Sequence, residues 1–254
     1  MNKAPHNAKP KTVDEFFDAY PGLWEHENLN YRHRLPSDLD AAILDIGSGP
    51  GHFLAACAKW GYRNLSVMDY VLESDQFRVW GVDGLYLVTD DLPSALSGLQ
   101  GCFDFIHAAH LIEHVPKHDL LENVDAMFYA LRPGGTIALE TPNMLAPSAM
   151  ASLFVTLGHE YGFTQHNLCS LLNICGFRSE RADPVLQPAG RAKARIGDLL
   201  RKSVLASTYL LKCRLFGFGD AITAQNIIVT GVRPEADPFP ERVIPTCSSS
   251  TVSA

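Results

Sequence analysis

An α/β fold with a doubly wound, mainly parallel sheet and helices on both faces is what this sequence predicts. Two observations carry the prediction. Strand-like and helix-like segments alternate along most of the chain, as βαβ units require. The first strand signal also runs straight into a glycine-rich turn, "ILDIGSGPGHFL" (43–54), at the position where such sheets bind ligands.

The elements follow in order. "TVDEFFDAYPGLWEHENLNYRH" (12–33) opens with a helix signal: Thr12 as cap, Glu15 three residues later, and Phe16, Phe17 and Tyr20 on an apolar side. "AAILDIG" (41–47) reads as a buried parallel strand, and "GHFLAACAKWG" (51–61) as a helix stopped by Gly61. "NLSVMDY" (64–70), "GLYLVTD" (84–90) and "FDFIHAA" (103–109) are further strands; between the first two of these, "YVLESDQFRVWG" is short and poorly periodic. A helix at 118–135, the strand "TIALETPN" (136–143), a helix at 164–177 and strands at 178–186 and 226–232 complete the series. The organisation is thus a helical lead-in at 1–40, one domain at 41–232 and a disordered Pro/Ser-rich tail at 233–254.

Before the last strand lies a helical insert, about 186–218. Ile196, Leu199, Leu200, Val204 and Leu211 recur there at helical spacing. Arg191, Lys193, Arg195, Arg201, Lys202, Lys212 and Arg214 surround them, with Asp198 the only acid. Two readings stand: a surface helix with a solvated basic face, or a lid that meets an anionic substrate or a membrane surface.

Composition sets the outer bounds. The 254 residues, 46% hydrophobic and 19% charged, suit one globular domain with a sizeable core. A net charge of −7 argues against a nucleic-acid partner. The six cysteines form no CxxC pair, so reduced thiols in a cytoplasmic protein are expected rather than structural zinc. No apolar run is long enough for a bilayer span, and the first residues lack the apolar centre of a signal peptide.

The glycine turn then decides the cofactor. A dinucleotide fingerprint needs G-x-G-x-x-G, whereas here Gly47, Gly49 and Gly51 are followed by His52, and Asp45 would oppose a pyrophosphate. At "LDIGSGPG" the chain resembles the class I S-adenosylmethionine-dependent methyltransferases, whose first motif is D-x-G-x-G-x-G. The resemblance implies a Rossmann-like, seven-stranded sheet with an antiparallel last strand and S-adenosylmethionine as cofactor. It places Asp45, Gly47, Ser48, Gly49 and Gly51 at the methionine end of the donor and Asp69 on the ribose. Asp91, with Asp90 as alternative, and Leu92 fall at the adenine, and His107 also touches the cofactor. Arg32 is either a partner of the cofactor carboxylate or a surface charge.

Catalytic candidates cluster after the fourth strand. On a helical turn His110, Glu113 and His114 would share one face, and "HLIEH" is similar to the E-x-x-E-H element of ubiquinone-pathway O-methyltransferases, where that element is associated with metal binding. His110 or His114 as general base, a divalent ion on two imidazoles and a carboxylate, and a structural His114 all stay open; no metal is expected. "LGHEYGFT" (157–164) resembles the acceptor-side loop of polysaccharide and lipopolysaccharide methyltransferases and makes His159 another base candidate. Thr141 and Asn143 would line the acceptor side. O-methylation of a sugar or glycan-type acceptor is the leading expectation. The rivals are a phenolic, quinone or carboxylic acceptor, or a non-catalytic S-adenosylmethionine-binding partner protein.

Overall fold

The computed structural model describes residues 12–71, 74–88, 91–179, 181–188 and 224–236, with isolated positions between 203 and 222 and at 238. Most of the basic insert and of the tail lies outside the described residues, so neither expectation is addressed by the fold.

The seven strands are β1 (Ala42–Ile46), β2 (Asn64–Asp69), β3 (Val82–Leu87), β4 (Phe103–Ala109), β5 (Leu131–Pro142), β6 (Ala182–Pro184) and β7 (Asn226–Val232). They form one sheet in the order β3-β2-β1-β4-β5-β7-β6. Pairs from β3 to β5 are parallel, and β7 runs antiparallel to both β5 and β6. This is the Rossmann-like arrangement expected. The chain order reverses between β1 and β4, so a crevice opens at their carboxyl ends.

The helices are α1 (Val13–Ala19), α2 (Pro21–Asn30), α3 (His52–Trp60), α4 (Ser74–Val79), α5 (Leu92–Leu96), α6 (Leu120–Ala130), α7 (Ala149–Leu153) and α8 (Gln165–Ile174). Thr12 caps α1 as expected, its hydroxyl accepting from the Glu15 amide at 3.1 Å. Pro21 then divides the lead-in into two helices, because proline suits the first turn of a new helix and not the interior of an old one. One apolar layer joins α1 and α3 to the sheet through Phe16, Phe17, Phe53, Leu54 and Phe105. The opposite layer gathers α5, α6 and α8 around Ile106, Val124, Phe128 and Leu168.

Three local expectations change. The helix expected at 118–135 stops at Ala130, and Leu131–Gly135 open β5 instead. Pro133 and Gly134 (φ +79°) explain the stop, since one lacks an amide hydrogen and the other is left-handed. The strand expected at 84–90 starts two residues earlier and ends three earlier, at Val82–Leu87. The helical turn expected across His110–His114 is a single 3-10 turn, Ile112–His114, with His110 outside it at φ +53°.

Candidate functional site

The glycine turn leaves β1 and caps α3. Gly47, Gly49 and Gly51 all have positive φ, +73°, +51° and +77°, which side-chain-bearing residues adopt only at a cost. Asp69, at the end of β2, holds this turn: one carboxylate oxygen accepts from the Gly49 amide at 3.1 Å and lies 3.5 Å from the Ser48 hydroxyl. A cavity of about 360 Å³ lies beside the turn, lined by Gly47, Asp69, Asp91, Leu92, Leu111 and His114 among others. Asp91 also caps α5, accepting from the Ser94 amide at 2.7 Å. The carboxylate that ends β2 and the one that caps α5 thus border one cavity.

Asp45 and His107 lie deeper. They are register neighbours on β1 and β4, and the buried carboxylate of Asp45 meets His107 Nδ1 at 2.6 Å. The Phe53 ring stacks on the imidazole with centroids 3.8 Å apart, and Tyr31 packs edge-on at 4.6 Å. His107, expected at the cofactor, lines neither of the two cavities described in this section. Arg32 lies over the Trp60 ring, 5.5 Å from its centroid, which answers to the surface-charge reading.

A chain of polar groups joins the end of α2 to the ends of β4, β5 and β7. The Tyr31 hydroxyl donates to Glu140, which also accepts from the Asn226 amide at 2.8 Å. His110 Nδ1 lies 3.1 Å from Glu113 and its Nε2 lies 3.4 Å from Glu140. The Thr141 hydroxyl donates to the other Glu113 oxygen at 3.1 Å. Hydrogen bonds to Glu113 and Glu140 push His110 up to about 10 against its partial burial. Burial alone would raise the Glu140 carboxyl, but hydrogen bonds from His110, Tyr31 and Asn226 outweigh it and hold it at about 2. Both ring nitrogens of His110, expected among the base candidates, are therefore occupied. A second buried carboxylate, Glu27 of α2, sits between His26 Nδ1 (3.2 Å) and His52 Nδ1 (3.0 Å), and these bonds lower it although burial opposes them.

Glu27 and Glu140 were missed by reading the sequence. A charged residue inside the apolar strand "TIALETPN" was the available signal for Glu140; nothing local marks Glu27. Asn143, expected on the acceptor side, is fully buried and its amide donates to the carbonyls of Ile222 and Ala224 at 2.6 and 2.9 Å.

The last group joins distant segments. His114 Nδ1 lies 2.8 Å from the Gly158 carbonyl, and His159 Nδ1 lies 2.9 Å from that of Ser152. A carbonyl only accepts, so each Nδ1 carries hydrogen, and in the neutral ring each Nε2 keeps its lone pair. The two rings meet edge-on, centroids 4.8 Å apart. His159 also lines a second cavity of about 540 Å³ with His110, Ser148, Ser152, Val155, Gln225 and Asn226.

A family model described as a methyltransferase domain matches residues 23–182. The human EEF1A lysine methyltransferase 2 is 36% identical over 115 residues, covering 40% of this chain and 48% of that protein. The chain spans about half the length of the curated relatives it matches. A solved S-adenosylmethionine-dependent methyltransferase from Archaeoglobus fulgidus shares the fold at TM-score 0.57 and 16% identity, over 86% of this chain and 98% of its own. The Burkholderia thailandensis 1,6-didemethyltoxoflavin-N1-methyltransferase, solved with S-adenosylhomocysteine, gives 0.52 and 16%, over 92% of this chain and 93% of its own.

Proposed function

We infer the reaction from a premise these matches supply: the chain belongs to the methyltransferase domain family, whose methyl donor is S-adenosylmethionine. The donor occupies the 360 Å³ crevice, its methionine end at Gly47, Ser48, Gly49 and Gly51 with Asp45 beneath them. Asp69 takes the ribose hydroxyls, because an ionised carboxylate offers acceptors to both. Asp91 and Leu92 flank the adenine. The acceptor occupies the 540 Å³ cavity.

One observation carries this arrangement. His114 lines the first cavity, His159 lines the second, and their rings touch. A sulfonium is already an activated methyl donor, so alignment supplies much of the acceleration, up to about 7–11 kcal/mol in well-oriented systems. What remains is the acceptor proton, and His159 Nε2 is the group at the cavity wall with a lone pair to take it.

Ser148, Ser152, Gln225 and Asn226 surround the acceptor with hydrogen-bonding groups, which suits a sugar or glycan-type hydroxyl. The basic stretch 191–214 favours a phosphorylated, nucleotide-linked or lipid-linked acceptor. No described helix is long and apolar enough to cross a membrane, and the described cysteines are free thiols, which suits a reducing cytoplasm. Similarity to a lysine methyltransferase supports a second reading, an amine acceptor.

Replacement of His159 by Ala is expected to lower kcat by about 10²–10⁴ while leaving S-adenosylmethionine affinity, read by calorimetry, within about twofold. Phosphorylated sugars and a lysine peptide, assayed side by side, separate the two acceptor readings. An unchanged kcat in His159→Ala removes this residue from the reaction.

A further inference from the structure

We propose that His110 is a positioning residue of the methyl transfer: its ring, bridging Glu113 and Glu140, holds the turn that walls the donor cavity and, through Glu113, the loop that carries His159. The inference rests on the reading in which His159 takes the acceptor's proton, and it concerns what keeps that base in place.

The first ground is the backbone. His110 follows the last residue of β4 at φ +53°, and among the described residues it is the one side-chain-bearing residue with positive φ. Its amide stays in the sheet, donating to the Glu140 carbonyl at 2.9 Å. Glycine or asparagine would take this conformation more readily, so folding alone does not ask for histidine here. Strain of this kind persists where surrounding contacts over-determine it, and those contacts point to its use.

The second ground is the bridge. Glu113 and Glu140 are both buried, and two such carboxylates with no cation between them would repel. His110 supplies the cation. Its Nδ1 lies 3.1 Å from Glu113 and its Nε2 3.4 Å from Glu140, and the ring, pushed up to about 10, is charged at neutral pH. The other side chains bonded to the two carboxylates are uncharged donors: Thr141 to Glu113, and Tyr31 and Asn226 to Glu140. His159 shares the acceptor cavity with His110.

The third ground is what the bridge holds. Leu111 and His114, on the same turn, line the donor cavity, whereas His110 lines the acceptor cavity. The Glu113 carbonyl accepts from the amides of Glu160 at 2.8 Å and Tyr161 at 3.2 Å, directly after His159. Glu113 is therefore the joint between this turn and the loop of the base, and His110 ties its carboxylate to β5. A shift of about 1 Å in a reacting group can cost about 10²-fold in rate. The His110 side chain is half-exposed and borders the acceptor cavity, so a glycine in its place leaves a space that a small molecule can enter.

The test uses the full chain as His110→Gly and as His110→Asn, both compatible with the left-handed backbone. S-adenosylmethionine affinity, read by calorimetry, should match the parent's and shows that each variant is folded. For whichever phosphorylated sugar or lysine peptide the parent methylates, kcat should fall by about 10–100-fold with KM little changed. Imidazole added to His110→Gly should restore kcat saturably, and its far less basic isomer pyrazole should not. Amide exchange at Glu160 and Tyr161 should quicken by about tenfold or more in both variants. It should slow again in His110→Gly with imidazole, while exchange in α3 stays as in the parent. A merely structural defect would lower donor affinity as well and would not respond to imidazole. Parent-like kcat and exchange in both variants overturn the assignment, as do losses that imidazole leaves untouched or that pyrazole repairs equally. If the parent methylates none of these acceptors, the acceptor reading fails, and exchange at Glu160 and Tyr161 alone decides the bridge: an imidazole response supports it and its absence overturns it.

Discussion

Glu140 directly follows the buried Ile137, Ala138 and Leu139 in β5, and only 2% of it is exposed. An unpaired carboxylate there would cost several kcal/mol; with Tyr31, His110 and Asn226 around it the charge is kept. Its folded-state value of about 2 lies below the ordinary 4.5. The stability this adds is fully present above pH 4.5 and is lost as pH falls from there toward 2. At 1.36 kcal/mol per unit it is on the order of 3 kcal/mol. Denaturant midpoints measured from pH 7 down to pH 3 should fall along this limb. Glu140→Gln should be less stable at neutral pH with a flatter limb, and parallel limbs would refute the assignment. The left-handed backbone of His110 has the same explanation. A non-glycine residue there costs on the order of 1–3 kcal/mol, and the two carboxylates that fix its ring hold it in place.

At the scale of elements, the turn from β1 into α3 is where local signals and final structure coincide. Gly51 is left-handed, and a Cβ on it would meet the Phe77 ring at 2.5 Å, so glycine is required twice over. Gly51→Ala should cost about 1–3 kcal/mol by strain and overpacking, read as a lower denaturation midpoint. A midpoint within about 0.5 kcal/mol of the parent would mean that α4 simply moves aside. Strand, glycine turn and helix were legible because each depends on neighbours within about ten residues. The 3-10 turn at Ile112–His114 was not, because His110 leaves helical geometry to pair with Glu140 on the next strand. The end of α6 could have been read from Pro133 and Gly134. The pairing of His114 with His159 could not, since it is made by a loop whose position only the folded sheet determines.

For the molecule as a whole, the order of strands follows from alternation and motif, while the packing of the N-terminal pair of helices does not. That pair of helices packs on α3 and brings Glu27 and Tyr31 into the interior. Arg34 anchors them: its guanidinium donates to Thr230 at 3.0 Å and Asp183 at 2.8 Å, and its Nε to the Asn30 carbonyl at 2.8 Å. Asp183 is partly exposed, so the ion pair itself adds little. Loss of the three bonds in Arg34→Ala is expected to cost about 1–3 kcal/mol and to speed amide hydrogen exchange in α1 and α2. Unaltered exchange there would show that the apolar layer alone holds the helices down.

β6 and β7 pair directly, Pro184 opposite Ile227, so the stretch 187–225 departs and returns at neighbouring points on one sheet edge. Tyr209 within it donates to the Leu145 carbonyl, and Asn143 holds the carbonyls of Ile222 and Ala224. Both contacts are made just after β5, and Asp69, Asp91 and the glycine turn lie beyond strands remote from this edge. Loop closure costs little more for a long excursion than for a short one. The junction of β6 and β7 is therefore a splice point: evolution, or an engineer, can trade the excursion for another of different length without disturbing the glycine turn on the far strands.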